Sequence, residues 1–472
     1  MDSQISKSYP QQSMQKIPHW IIVMMCVLFA LLYGVWILPH TVFVRHFAMG
    51  LGSLFGLWIT YQNRFLLWQK RALPMGLILL LLIWVTIHLF WIGRGYPLQS
   101  LEYTQIWKKI ALSLPFAFGL GLAIAGNYSD LKKSRRYWQI IYLGFCLPTL
   151  IYFGKFAYAK LAGIYGYPIP SYLLLVPYGG GEQPFGIPRA WYVLFCLPAF
   201  AIALGRIVQL IEKDNFGMRS SWPYLVILPL TVTLFFIEAD RFGMVYVMLF
   251  LTLSLGIILF KYCRRLSWKG GMILLSVLVV SLGLVSVSVS KNSQWQTLVA
   301  DSKVAAQVDR YDNWKNRNKG YPINELGQIP TDSNYSRLAW AIVGSRLLIE
   351  NPLGYGLMSL SFGALGKEKW PDSDLSWTHS AWLDFGLGYG LPGLFLLAFA
   401  VMLGWHYSAY SKAPWNLIGH WGLASMALVM TTKEVSAESA INAIIFLALW
   451  VSALSLGNSN LGASPKSEFV DS

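Results

Sequence analysis

Apolar runs of about 18 or more residues recur along most of this chain, and each is long enough to cross a hydrocarbon core of ~30 Å as a helix. Inside a bilayer every backbone N–H and C=O must be satisfied within the spanning segment, so a run of this kind leaves the fold little choice. Composition points the same way: with 55% hydrophobic and only 12% charged residues and a mean hydropathy of +0.48, the chain is not a soluble globule. The expected fold is all-α, a polytopic membrane protein with about twelve transmembrane helices.

The runs place those helices near 18–39, 42–61, 73–93, 106–126, 138–158, 188–208, 221–238, 241–260, 271–290, 379–405, 415–431 and 439–456. They divide the chain into helices one to nine (1–290), one long polar segment expected to contain amphipathic helices (291–378), and helices ten to twelve with a tail (379–472). The first run has no convincing small-residue cleavage site and is followed at once by others, so it reads as a membrane helix rather than a removed signal.

Basic residues orient the stack. With Lys7 and Lys16 in the cytoplasm, the even-numbered connections collect Arg64, Lys70, Arg71, Lys132, Lys133, Arg135, Arg136, Arg206, Lys213, Arg219, Lys261, Arg264, Arg265 and Lys269. That is the positive-inside pattern. It accounts for the net charge of +15 without nucleic acid, because the cations sit in short clusters between apolar runs. The segment 291–378 then faces outward, and every even-numbered helix begins at the outer face, where its unpaired N–H groups and positive dipole end suit an anion. Cys26, Cys146 and Cys196 fall in apolar runs and Cys263 beside Arg264, so no pair reads as a zinc or disulfide framework.

Several polar residues stand at these outer helix starts. In "GEQPFGIPRAWYVLF", Pro188 suits a first helical turn and Arg189 follows it. In "FFIEADRFGMVYVM", Asp240 is a plausible N-cap for a helix opened by Arg241. In "PTDSNYSRLAWAIVGSRLLIENPLGYG", Asp332, Ser333 or Asn334 is expected to cap an amphipathic helix with Arg337 in its first turn. Its apolar positions Leu338, Ala341, Ile342 and 345–349 recur at helical spacing, and it ends before Pro352. His379 follows Thr378, a good N-cap for the tenth helix; a helix N-terminus disfavours imidazolium and would keep the ring neutral, fit to act as a base.

One boundary arginine ordinarily snorkels to headgroups, and a lone interfacial histidine is ordinarily a surface group. The functional reading rests on several of them gathering on one face. Guanidinium stays charged and donates paired hydrogen bonds to phosphate oxygens, so two or three arginines can hold a diphosphate without a metal ion. A neutral histidine can take the proton of an attacking hydroxyl. Together they suit transfer of a sugar from a diphosphate-linked lipid, with no cofactor.

Other motifs fail on context. "GYGLPG" has the GxGxxG spacing but lies inside an apolar run with no strand before it, and "YGGGEQPFG" lacks the GK[ST] of a P-loop. "DSD" at Asp372–Asp374 is too short to carry weight, and Glu238 with Asp240 is the more serious metal candidate. No histidine or carboxylate set has ligand spacing, so no metal is assigned. A transporter driven by an ion gradient would place carboxylates within its helices, and these runs are nearly free of them.

"NYSRLAWAIVGSRLLIENPLGYGL", followed by "THSAWLDFGLGYGLPGLFLL", resembles the signature of the O-antigen ligase and polymerase superfamily. The shared features are an arginine-bearing helix, an "NPL-G-G" turn, a histidine beside a small polar residue and a "G-PG" pattern. Where that family commonly has Asn after the histidine, Ser380 stands here; "EADRFGMV" resembles its second arginine motif, and Arg189 matches none. The resemblance implies metal-independent, inverting glycosyl transfer at the periplasmic face of the bacterial inner membrane. The donor would be an undecaprenyl-diphosphate-linked glycan and the acceptor, for a ligase, a sugar of lipid A-core. His379 would be the base or orienting residue, with Arg337 and Arg241 on the diphosphate. A polymerase or a protein O-glycosyltransferase would share this chemistry and differ in acceptor.

Overall fold

A computed structural model describes residues 14–175, 185–213, 217–262, 297–433 and 437–458, with scattered helical positions between 272 and 287. The described chain is helical without strands, an all-α polytopic membrane protein. Fourteen helices follow in order: α1 His19–Trp36, α2 Val42–Gln62, α3 Lys70–Ile92, α4 Tyr96–Ala125, α5 Leu131–Tyr165, α6 Arg189–Glu212, α7 Met218–Ile237, α8 Arg241–Tyr262, α9 Leu298–Ala305, α10 Asp332–Glu350, α11 Ser361–Lys369, α12 Ala381–Tyr407, α13 Ile418–Val429 and α14 Glu438–Ser455.

Ten of the described helices are long and apolar enough to cross a membrane, against the twelve expected. The ninth expected helix, 271–290, lies mostly outside the described residues, as do Cys263 and most of "YGGGEQPFG". The eleventh is α13, shorter than a span and begun by a π-wound turn over Ile418–Leu423. A π-turn widens the helix locally and lets it change direction within the protein.

The core forms around α14, whose apolar window is 94% buried. Helices in lipid gain little from apolar burial and associate through close packing of small residues. The crossing of α2 and α4 depends on this: a Cβ on Gly119 would lie 2.3 Å from Gly56 Cα, so neither position has room for a side chain.

Connections fall at two ends. Arg71 donates to the Ser455 carbonyl at 3.0 Å and covers the Tyr410 ring, while Trp415 reaches Ser134, all at the end rich in basic residues. At the opposite end Glu438 meets Lys109 at 3.0 Å and Arg45 at 3.4 Å, Arg94 meets Glu368 at 2.6 Å, and 297–378 packs its own small core around Trp314, Tyr335, Trp340 and Phe362.

α12 is broken at Gly390, whose φ of 71° and ψ of −178° belong to glycine alone. The turn 351–358 fills the break. Tyr355 N–H donates to Leu387 O at 2.8 Å, Gly356 N–H to Gly388 O at 2.7 Å and Leu391 N–H to Pro352 O at 2.8 Å. His88 Nε2 meets Leu353 O at 2.8 Å, and the Glu102 carboxylate accepts the Met358 N–H and the Tyr389 hydroxyl. "NPLGYGL" and "GYGLPG" are thus one structure, each satisfying the backbone groups the other frees.

Candidate functional site

α10 organises the site. Its N-cap is Thr331, not Asp332, Ser333 or Asn334, which occupy its first turn instead. Its buried stripe is Tyr335, Ala339, Trp340, Val343, Leu347 and Leu348, whereas Ile349 is 74% exposed; the apolar spacing of Leu338, Ala341 and Ile342 runs along the flank. Hydroxyl and aromatic residues thereby take the inward face, and Ser333, Asn334, Arg337 and Trp340 recur at three- and four-residue intervals, so they share one side of the helix.

Each of these residues meets another part of the chain. Arg241, the first residue of α8, donates from one terminal nitrogen to Asn334 Oδ1 at 3.1 Å and from the other to Ser333 Oγ at 2.6 Å. The Arg337 guanidinium lies over the Phe242 ring, 4.8 Å from its centre. Trp340 stacks on His379 with ring centres 5.4 Å apart and planes 9° from parallel. One helix thus gathers Arg241, Arg337 and His379, which are spread over 139 residues of sequence (379 − 241 = 138 steps apart).

Asp240 does cap α8, accepting the Gly243 N–H at 2.8 Å. Its other oxygen meets Lys433 Nζ at 2.5 Å, and both side chains are buried. Burial raises the Asp240 carboxyl, but the adjacent Lys433 ammonium and the Gly243 N–H outweigh it and hold the group below the usual carboxylate range. Burial pulls Lys433 below the ordinary lysine value; Asp240 opposes this and Arg337 adds to it. Lys433 also lies over Phe242, 5.5 Å from its centre, on the side chain that carries Arg337. Arg189 opens α6 in an exposed position within electrostatic reach of Arg241 and Lys433. Four cations therefore repel one another at one end of the molecule, an arrangement suited to an anion.

His379 stands in a left-handed conformation, φ 61°, which costs a non-glycine residue about 1–2 kcal/mol. Its neighbours impose it. The Thr378 N–H and hydroxyl both donate to Asp384 Oδ1 at 2.8 Å, the Thr378 hydroxyl oxygen accepts the Ser380 N–H at 3.2 Å, and the Ala381 N–H donates to Lys433 O at 3.1 Å. The N-cap of α12 is accordingly Ser380 rather than Thr378, with its hydroxyl accepting the Leu383 N–H. His379 sits just before the helix, half-buried, on an arch fixed from both sides.

Glu238 and Asp240 serve separate partners, because the Tyr152 hydroxyl donates to Glu238 at 2.9 Å while Asp240 holds Lys433. Among the described residues no three His, Cys, Asp or Glu side chains gather to hold a metal ion.

The sequence reading missed Lys433, Phe242, Trp340 and Asp384. Lys433 carried a signal: a lysine in the short connection "TTKEVS", directly beside an apolar run. The aromatic residues carried none, since tryptophan and phenylalanine abound in every run.

A family model described as O-antigen ligase matches residues 225–398, the stretch that contains Arg241, Arg337 and His379 but not Arg189 or Lys433. Over those residues the chain matches the O-antigen ligase superfamily. No curated protein matches the chain.

Proposed function

We propose that this chain, whose residues 225–398 match the O-antigen ligase family, transfers an undecaprenyl-diphosphate-linked O-polysaccharide to lipid A-core at the periplasmic face of the bacterial inner membrane. The observation that supports it most is the gathering of Arg241, Arg337 and His379 along one side of α10. Arg241 and Arg337 hold the donor diphosphate, with Arg189 at the rim and Lys433 behind. His379 takes the proton of the acceptor hydroxyl as its oxygen attacks the anomeric carbon. A new glycosidic C–O bond forms, the C–O bond to phosphate breaks with inversion, and the diphosphate leaves with that electron pair on the arginines. Guanidinium charge meets the leaving group directly, so no metal ion takes part, and a chelator is expected to leave activity unchanged.

The test is a lipopolysaccharide gel from cells lacking the gene, complemented with wild type or with His379→Ala at matched membrane levels. Core-only lipopolysaccharide with accumulated lipid-linked O-antigen, restored by wild type and not by the variant, is the expected result. Core bearing a single repeat would identify a polymerase instead, and full rescue by His379→Ala would remove the base.

A further inference from the structure

We propose that Asp301 is a positioning residue for Arg241 and acts through the side-chain amide of Asn334. This rests on the reading that Arg241 binds the donor diphosphate. The charge of Asp301 also reaches Arg241.

Asp301 is on α9 and is 0% exposed. Its carboxylate accepts five hydrogen bonds: Thr297 Oγ1 at 2.8 Å, Asn324 Nδ2 at 2.8 Å, Asn334 Nδ2 at 2.9 Å, and the Thr331 N–H and hydroxyl at 3.2 Å each. An ionised carboxylate can only accept, so Asn334 turns its NH2 toward Asp301. The amide oxygen is then left on the opposite side, where it accepts from Arg241 at 3.1 Å, with Ser333 taking the second guanidinium nitrogen. Two anchored nitrogens fix the plane of a rigid fork and with it the directions of its other N–H bonds. The sign of the charge at 301 therefore sets which end of Asn334 faces Arg241. Asp301→Asn keeps the shape but supplies an N–H of its own, which permits Asn334 to flip and oppose Arg241 with N–H.

These bonds also tie α9 and the 324–331 turn to the start of α10, so loss of Asp301 could act on folding alone. A coupling measurement separates the two. Full-length detergent-solubilised protein is titrated with undecaprenyl diphosphate as wild type, Asp301→Asn, Asn334→Ala, Arg241→Ala and the doubles with Arg241→Ala. Asp301→Asn and Asn334→Ala are each expected to weaken binding about tenfold, the scale of one charged hydrogen bond, and to add nothing once Arg241 is gone. In transfer assays the donor KM should rise more than kcat falls. Asn334→Ala leaves the other four bonds of Asp301 in place and carries the test should Asp301→Asn fail to fold.

Equal losses with and without Arg241 would mean a structural role and overturn the proposal. Wild-type binding by Asn334→Ala, with Arg241→Ala weakened, would overturn the relay and leave the diphosphate site standing. Wild-type binding by Arg241→Ala would overturn both.

Discussion

Asp240 and Lys433 are joined at 2.5 Å inside the protein, and a buried pair of this kind is costly to break from one side only. Asp240→Asn or Lys433→Met alone is expected to lower stability by about 3–5 kcal/mol, with the double substitution recovering much of it, read as the melting midpoint of purified protein. A double variant no more stable than either single would remove the pairing argument. The acid limb gives an independent check. The folded Asp240 carboxyl lies below its ordinary value of about 4, so its contribution is complete above that pH and is lost as pH falls through the depressed value. Wild type should lose stability below about pH 4 more steeply than the double variant. At this scale, residue type and position singled out Arg241, Arg337 and His379 as candidates, and the structure brings the three together along α10. Lys433 could not be placed, because its partner lies 193 residues away.

The break in α12 belongs to the element scale. A Cβ on Gly390 would sit 2.4 Å from the Leu353 carbonyl carbon, and one on Gly354 2.4 Å from Gly390 N, both against backbone that has no room to move. Gly390→Ala and Gly354→Ala should each reduce folded protein in size-exclusion profiles. Gly163→Ala, on an exposed stretch of α5 with nothing within 4 Å, should be neutral or slightly stabilising. Equal behaviour of all three would mean that the turn and the helix do not lock together. The glycine-rich patterns were visible as patterns, but "GYGLPG" reads from sequence as one apolar helix. Only the insertion of 351–358 explains why that helix breaks where it does. The caps show the same limit: Asp240 was recognisable, whereas Thr331 and Ser380 hold cap positions that propensity alone does not assign, because their backbones meet Asp301 and Thr378.

For the whole molecule, the alternating connections predict two chemically distinct faces. On a background with Cys263 replaced by Ser, and with Cys26, Cys146 and Cys196 buried, Lys367→Cys should react with an impermeant maleimide at the outer side of intact spheroplasts. Lys412→Cys should react only after permeabilisation, and the reverse pattern would invert the orientation. The amino-acid sequence by itself determined that this chain is a helical membrane protein, roughly where its spans run and which end collects cations. Those follow from the length of each apolar run and the charge beside it, which are local properties. It also marked Arg241, Arg337 and His379 as candidates at expected helix starts, although Arg337 is the sixth residue of α10 and His379 precedes the cap of α12. The tertiary structure alone decided that one side of α10 brings them together, that Asp301 reaches Arg241 through Asn334, and that Lys433 joins the cluster. Those are contacts between segments 33 to 193 residues apart, and a contact over such separation is set by how helices pack rather than by any spacing along the chain.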